Sequence, residues 1–394
     1  MSLTAYPTYD SYKDSRVEWI GDIPSEWQVE PGRQCVYESR DKNTRMKEST
    51  VLSLSYGRVI VKDKDKLTGL AKDVGIITSA YINLRPKAQI DQVFLHYLLH
   101  SYDVKKVFYA LGSGLRQNLS YLDFKYLKLP IPSPTEQRAI AAFLDEKCAG
   151  VDEAVRIKEA QIALLRERRQ ILIQQAVTRG LNPAAPMKDS GIDGIGQIPA
   201  HWEIKRGKWL FTKVDRPIGA QDEIVTCFRD GQVTLRRNRR TEGFTNAFKE
   251  HGYQGIQRGD LVIHAMDAFA GAVGVSDSDG KATPVYSVCV PISPRETEPA
   301  YFALLLRQIA LSGLLISIAK GIRERSTDFR FKDFANLEFP NPSIDEQHEI
   351  IRYIDMVSTN LDDAITIKQD QIAALKEYKA SLINAAVTGK IKVI

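Results

Sequence analysis

Lys13-Asp14-Ser15-Arg16-Val17-Glu18-Trp19-Ile20-Gly21-Asp22-Ile23-Pro24-Ser25-Glu26-Trp27 returns 175 residues later as Lys188-Asp189-Ser190-Gly191-Ile192-Asp193-Gly194-Ile195-Gly196-Gln197-Ile198-Pro199-Ala200-His201-Trp202, with 8 of 15 positions identical. A second repeat has a different offset: residues 127–178 return as residues 337–388, 210 positions later. The unequal offsets mean two copies of one unit whose middle parts differ in length. A duplicated frame around two different inserts suits a protein that must hold two different readers in fixed geometry.

Bulk properties agree with a multi-unit chain. At 394 residues it is too long for one ordinary core. Hydrophobic residues at 43% and charged residues at 26% indicate a soluble globular protein. Residues 1–15 lack the basic start and apolar run of a secretory signal. The most apolar stretch, residues 303–319, is short for a membrane span and is interrupted by Arg307 and Gln308, so it reads as a buried helix and the protein is expected in the cytoplasm. Cys35, Cys148, Cys227 and Cys289 show no Cys-x-x-Cys spacing, which argues against a zinc site or a disulfide framework. The net charge of +5 is uneven: residues 28–132 hold 17 Lys and Arg against 10 Asp and Glu, and residues 203–339 hold 20 against 17. The basic excess lies in the inserts.

Each repeated helical segment opens on a Ser-x-x-Glu capping box, Ser133 to Glu136 and Ser343 to Glu346, with Pro134 suited to the first helical position. Pro130 and Pro132, and Pro340 and Pro342, exclude an earlier helix start. Apolar spacing then alternates four and three through Leu144, Cys148, Val151, Val155, Lys158, Ile162, Leu165, Arg169, Leu172 and Ala176. The second copy keeps the frame through Ile354, Ser358, Leu361, Ile365, Lys368, Ile372, Leu375, Lys379, Leu382 and Ala386. Such heptads predict a coiled coil, each helix partnered by the other. The coincident cations, Lys158 with Lys368 and Arg169 with Lys379, either snorkel past the seam or set register. Antiparallel pairing would return the C-terminus to the N-terminal block. Some 45 residues per helix would give a rod on the order of 65 Å.

The inserts mix strand and helix patterns. Residues 51–61, 76–84, 223–228, 259–264 and 285–291 read as strands, and 94–102 and 300–319 as helices. The expected fold class is therefore α+β: two globular domains separated by two long antiparallel coiled-coil helices, in a pseudo-twofold internal repeat. The expected domains are residues 1–132 (first block and insert), 133–180 (central helix), 181–342 (second block and insert) and 343–394 (C-terminal helix), with 181–187 as the joint.

Several basic groups are candidate polyanion contacts. Arg236, Arg237, Arg239 and Arg240 flank Asn238, and guanidinium forks suit guanine edges and phosphates. Lys62, Lys64 and Lys66 alternate with Asp63 and Asp65, which places three lysines on one strand face, either against a polyanion or simply solvated. Both inserts reach a Gly-x-Arg turn, Gly114-Leu115-Arg116 and Gly321-Ile322-Arg323, the latter followed by Arg325, and these arginines either touch nucleic acid or stabilise the turn. An aromatic pair follows each turn, Phe124 and Tyr126 or Phe331 and Phe334.

No catalytic constellation emerges. There is no Gly-x-x-x-x-Gly-Lys phosphate loop. Asn182-Pro183-Ala184-Ala185 and Asn341-Pro342-Ser343-Ile344 lack the second proline and the aromatic of an amino-methyltransferase motif. His96 and His100 lie one helical turn apart, but no third ligand is evident, so no metal is expected.

The Trp-bearing blocks, the Pro-x-Pro exits followed by Glu136-Gln137 and Glu346-Gln347, and the helices ending in Ala176-Val177-Thr178 and Ala386-Val387-Thr388 occur in duplicate and in order. In this the chain resembles the specificity subunits of type I restriction–modification systems over essentially its whole length. The resemblance implies that the inserts are target recognition domains, each reading one half of a split, asymmetric double-stranded DNA site, with the paired helices as a ruler for the spacer. It implies docking of two modification subunits that methylate adenine with S-adenosylmethionine, and of restriction subunits that use ATP and Mg. It also implies that this subunit binds no cofactor and performs no chemistry. A coiled-coil scaffold that binds protein without DNA specificity is the alternative. One departure is that about 31 residues of the second insert, around positions 245–276, lack a counterpart in the first. They include the strand entry Gly259-Asp260-Leu261-Val262.

Overall fold

The computed structural model describes residues 6–39, 81–110, 120–239, 252–315 and 329–393, together with the backbone of two short strands in the first insert. The chain divides into two compact units that are not consecutive in sequence. Met1–Gln161 joins Thr366–Ile394 in one, and Ile162–Ile365 forms the other.

In the first unit β1 (Tyr12–Asp14) and β2 (Asp22–Pro24) make an antiparallel hairpin. β3 (Gln28–Pro31) passes through the single turn α1 (Gly32–Cys35) into β4 (Val36–Glu38). β5 (Leu54–Ser55) pairs with β6 (Arg58–Val59), and β7 (Leu84–Pro86) pairs with β4. Asp91 then starts α2 (Gln92–Val104) by accepting the amides of Val93 and Phe94, each at 2.9 Å. α2 buries Phe94, Leu95, Leu98, Leu99 and Tyr102, an i, i+4, i+8 stripe doubled by its neighbours. After α3 (Tyr121–Phe124), β8 (Lys128–Ile131) returns antiparallel to β3, with Gln28 opposite Ile131. Pro130 within it and Pro132 just after it hand the chain to α4 (Pro134–Arg179).

The second unit repeats this frame. β9 (Met187–Asp189) and β10 (Gln197–Pro199) form the hairpin, and β11 (Glu203–Arg206) leads through α5 (Gly207–Leu210) to β12 (Phe211–Lys213). The insert then adds β13 (Val225–Cys227), β14 (Val233–Leu235), β15 (Gln254–Ile256), β16 (Leu261–His264), β17 (Val273–Val275), β18 (Gly280–Ala282) and β19 (Tyr286–Pro291). A four-stranded antiparallel sheet runs β12-β19-β16-β17. α6 (Pro299–Leu311) packs beside it, followed by α7 (Phe331–Asn336), β20 (Glu338–Asn341) and α8 (Ile344–Val387), with β20 antiparallel to β11. In the first unit the equivalent of the β12–β19 pair is β4–β7. Positions where counterparts of β16 and β17 would be sought, residues 40–53 and 60–80, lie outside the described residues.

One helix differs from its expected span. α6 breaks after Leu311, where Gly313 turns the chain at φ +89°, and helix resumes at Leu314 and Leu315, while residues 316–319 of the expected span lie outside the described residues. α8 stops at Val387, within the expected Ala386-Val387-Thr388 end, and Gly389 at φ +71° lets the Lys390 amide reach back to the Ala385 carbonyl at 2.7 Å. Residues beyond it pack down, with Ile391 buried and the Lys392 amide on the Pro7 carbonyl. Within the strand readings, 223–228 narrows to β13, 259–264 to β16 and 285–291 to β19. Reading 51–61 contains β5 and β6, and of 76–84 only the end is described, entering β7.

The capping boxes are used differently from the expected reciprocal form. Ser133 and Ser343 accept the amides of Glu136 and Glu346 at 3.3 Å. The two carboxylates face outward partners, Glu136 accepting the Tyr9 hydroxyl at 2.6 Å and Glu346 lying 3.0 Å from His201 Nε2. Glu346 ties its helix start to the second repeated block, and Glu136 ties its own to the segment just before the first.

The two long helices pair antiparallel inside each unit. In the first, Lys379 of α8 meets Asp152 of α4 at 2.7 Å and Lys158 donates to Gln371 at 2.7 Å. In the second, Arg169 donates to Asp362 at 2.7 Å. Of the seam positions, Leu144, Val151, Val155, Ile162, Ile354, Ile365, Ile372 and Leu382 are buried, and Leu165, Leu172, Leu361 and Leu375 are half-buried. Lys158, Arg169 and Lys379 thus reach the opposite helix, which favours register setting over simple snorkelling. All three pairs are partly exposed and each contributes about 0–1 kcal/mol, so the apolar seam supplies most of the stability.

In the first core Trp27, Phe94, Leu98, Leu129 and Leu144 close around Leu382, Ala386 and Val387 from the end of α8. In the second, Trp202, Phe211, Tyr301, Phe302 and Phe339 close around Ala176 and Val177 from the end of α4. A smaller cluster under the second insert gathers Val225, Val233, Ile256, Val262 and Val288. Among the described residues no helix is long and apolar enough to cross a membrane.

The frame has no space at its strand-to-turn corner. A Cβ on Gly32 would lie 2.6 Å from the Phe124 carbonyl oxygen, and one on Gly207 would collide with the Phe334 carbonyl. Gly207→Ala should therefore cost about 1–3 kcal/mol of unfolding free energy. Urea denaturation would check this, and an unchanged midpoint would contradict the close approach.

Candidate nucleic-acid interface

At one edge of the second unit three segments of the insert meet. The β13–β14 hairpin turns through Phe228, Arg229, Asp230 and Gly231, the last at φ +92°, with the Phe228 amide on the Gln232 carbonyl at 2.8 Å. β16 and β17 are joined by residues 265–272, which turn at Gly271 with φ +91°. Residues 236–239 follow β14 as a short helical turn.

Ionic and carbonyl contacts join these segments. Arg229 Nη2 reaches Asp267 Oδ1 at 2.8 Å, linking the hairpin to the β16–β17 connection. Arg239 reaches Asp230 at 2.6 Å and lies 4.3 Å over the Phe228 ring. From α6, the half-buried Arg307 donates through Nη1 to the carbonyls of Arg229 and Gly271 at 2.6 and 2.5 Å. Burial lowers the Arg307 proton affinity, while the neighbouring Asp230 works the other way. Both glycine turns need this: a Cβ at Gly231 or Gly271 would sit about 3 Å from the Arg307 guanidinium. Arg229, Arg236, Arg239 and Arg307 outnumber Asp230 and Asp267, so the edge is cationic, with its guanidiniums held by acceptors rather than waving in water.

His264, at the end of β16, accepts the Asp267 amide on Nδ1 at 3.1 Å and meets the Tyr286 ring edge-on at 4.7 Å. Burial lowers its pKa below the ordinary 6.5, against the opposing pull of Asp267. Burial also pushes the Tyr286 hydroxyl up to about 12. Both rings are therefore uncharged near neutrality. Met266 stands beside them, 47% exposed.

The arginines singled out in sequence separate into distinct settings. Arg236 donates through Nε to Thr226 Oγ1 at 3.3 Å, Arg237 pairs with Glu223 at 2.7 Å, and Arg239 pairs with Asp230. Arg240, Arg116, Arg323, Arg325, Lys62 and Lys64 lie outside the described residues. Arg229, Asp267, His264, Met266 and Arg307 were not singled out in sequence. Arg307 appeared there only as an interruption of an apolar run, and Arg229 acquires its setting from residues 38 and 78 positions away.

Other candidate chemistry is quiet. Burial pushes the thiols of Cys35 and Cys289 up to about 12 and raises those of Cys148 and Cys227, so all four free cysteines are poor nucleophiles. His96 and His100 stack at 6.3 Å. Among the described residues no group of three or more His, Cys, Asp or Glu is arranged to hold a metal.

Residues 36–163 match the type I restriction modification DNA specificity domain. The chain is 22% identical over 326 residues to the putative type I restriction enzyme MjaX specificity subunit of Methanocaldococcus jannaschii, covering 79% of this chain and 71% of the relative. It is 24% identical over 341 residues to the MjaVIII specificity subunit of the same organism, covering 81% and 75%. To the EcoBI specificity subunit of Escherichia coli it is 23% identical over 312 residues, covering 71% and 63%. A solved chain described under complex assembly and conformational transition of the type I R-M system shares the fold at a TM-score of 0.65 and 16% identity, covering 94% and 99%. The HsdS subunit from Thermoanaerobacter tengcongensis aligns at a TM-score of 0.50 and 16% identity, covering 94% and 98%.

His264 carries a pH dependence. The unfolded chain protonates it near 6.5 and the folded chain only at lower pH, so between these values the unfolded state binds more protons. Stability should therefore fall as pH drops through that window, and His264→Gln should flatten the fall. Denaturation at about pH 7.5 and about pH 5.5 tests it. Equal pH slopes for the two chains would refute it.

Proposed function

We propose that this chain, a specificity subunit of the type I restriction–modification family, reads a split, asymmetric DNA site within a methyltransferase and restriction complex. The observation that carries this is the duplicated frame holding two unlike inserts. One frame repeated can hold the same kind of partner twice, and two different inserts can read two different sequences. The buttressed arginine edge of the second unit supports DNA as the ligand, because a guanidinium held by a carboxylate and a carbonyl presents its remaining donors in fixed directions.

Partner docking is supported by the outer face of the helices. Ile157, Leu164 and Ile171 recur every seventh residue on α4, all exposed, and Ile367, equivalent to Ile157 by the 210-residue offset, is exposed on α8. Scattered exposed apolar side chains need no explanation, whereas a stripe in heptad spacing suits a further helix. Modification subunits would dock there and supply S-adenosylmethionine, and restriction subunits would supply the ATP- and Mg-dependent steps. This chain would contribute recognition alone, in the cytoplasm.

The test is a footprint of the reconstituted complex on its methylated sites, with two protected half-sites expected. Protection of a single continuous block, or none, would remove the split-site reading and leave a protein scaffold. Within that assay, Arg229→Ala and Arg237→Ala should each weaken only the half-site read by the second insert, by about 1–3 kcal/mol where a bidentate base contact is lost. A uniform loss on every sequence would reassign them to phosphates.

A further inference from the structure

Each long helix begins with a buried glutamine whose side-chain amide is fully used. Gln137 in the first turn of α4 is 1% exposed, and Gln347 in the first turn of α8 is 0% exposed. Gln137 Nε2 donates to the carbonyls of Pro132 at 2.9 Å and Gln89 at 3.2 Å, while Oε1 accepts the Asp91 amide at 2.8 Å. Gln347 Nε2 donates to the carbonyls of Pro342 at 2.9 Å and Glu296 at 3.0 Å, while Oε1 accepts the Glu298 amide at 2.9 Å.

The residues gripped have a common place in the fold. Asp91 and Glu298 are the N-cap residues of α2 and α6, the helices that pack inside the inserts. Pro132 and Pro342 close the exits from the inserts into the long helices. One amide thus joins three segments: the long helix, the exit that precedes it and the start of the insert's own helix. Only a primary amide can donate twice and accept once in this arrangement, and rotating it by half a turn would set donor against donor. Both side chains are shut off from the surface, so losing one of these bonds leaves a buried polar group unpaired, and the three bonds together favour one attachment angle of the insert on its helix.

Resting on the DNA-reading role proposed above, we infer that Gln137 and Gln347 are positioning residues that set the angle at which each insert is clamped to its long helix, and so the spacer tolerated between half-sites. A helical ruler measures only as well as its readers are fixed to it. The two latches are that fixing, and neither contacts DNA.

The test uses the full chain with its modification subunits and duplexes carrying both half-sites at the native spacer or one base pair longer or shorter. The wild-type complex should prefer the native spacer by at least about tenfold, the scale of a lost base contact. Gln347→Met, which keeps volume and removes all three bonds, should bring that preference within about threefold. The expected signature is a loss of affinity confined to the native spacer. Gln137→Met, which removes the equivalent three bonds of the other latch, should have the same effect and serves should the Gln347 variant fail to assemble. Retained preference in an assembled variant, or an equal loss at all three spacers, overturns the positioning role alone. A wild-type complex with no spacer preference overturns the split-site reading and this role together.

Discussion

The apolar seams of α4 and α8 cannot be hidden except against each other. These helices of 46 and 44 residues carry heptad stripes that face one another within each unit. Antiparallel pairing satisfies both at once, and chain connectivity then follows: the end of α4 enters the core of the second unit through Ala176 and Val177, and the end of α8 enters the core of the first through Ala386 and Val387. Each unit is thus completed by the helix end that belongs, in sequence, to the other copy. Trp27 and Trp202 receive these ends in equivalent positions.

What hangs on the seam is attached by short polar devices that also come in pairs. Glu346 binds the second block through His201 and Glu136 the segment before the first through Tyr9, and Gly32 and Gly207 admit the carbonyls of Phe124 and Phe334. Repetition of these contacts at different offsets explains how two inserts of unequal length hang from identical corners. The inserts carry the difference. In the second, aspartates and backbone carbonyls hold the arginines of one edge in place, a costly arrangement for a mere solvated surface and a useful one for reading a polyanion.

The frame was legible because its signals are local. Capping serines, exit prolines and heptads each act within a few residues, and duplication confirmed them. The break in one helix was not legible, because a single glycine decides it: Gly313 interrupts the expected 300–319 helix inside a run that stays apolar beyond it. The reading edge was only half legible. The run of arginines stands out in sequence, yet its neighbours Arg229, Asp267 and Arg307 come from separate elements and are assembled only by the sheet. The glutamates of the capping boxes, expected to turn back on their own helices, serve long-range partners for the same reason: Tyr9 and His201 lie more than a hundred residues away.

Under the proposed reading, the length of the paired helices sets the spacer between the two half-sites. Inserting one heptad into the middle of α4 and the facing one into α8 keeps the seam in register and lengthens it by about 10 Å. Methylated adenines would then be mapped across a genome carrying the partner subunits, with the altered or the original chain. The account predicts the same two half-sites with a spacer about 3 base pairs longer. The same half-sites at the original spacer would contradict it.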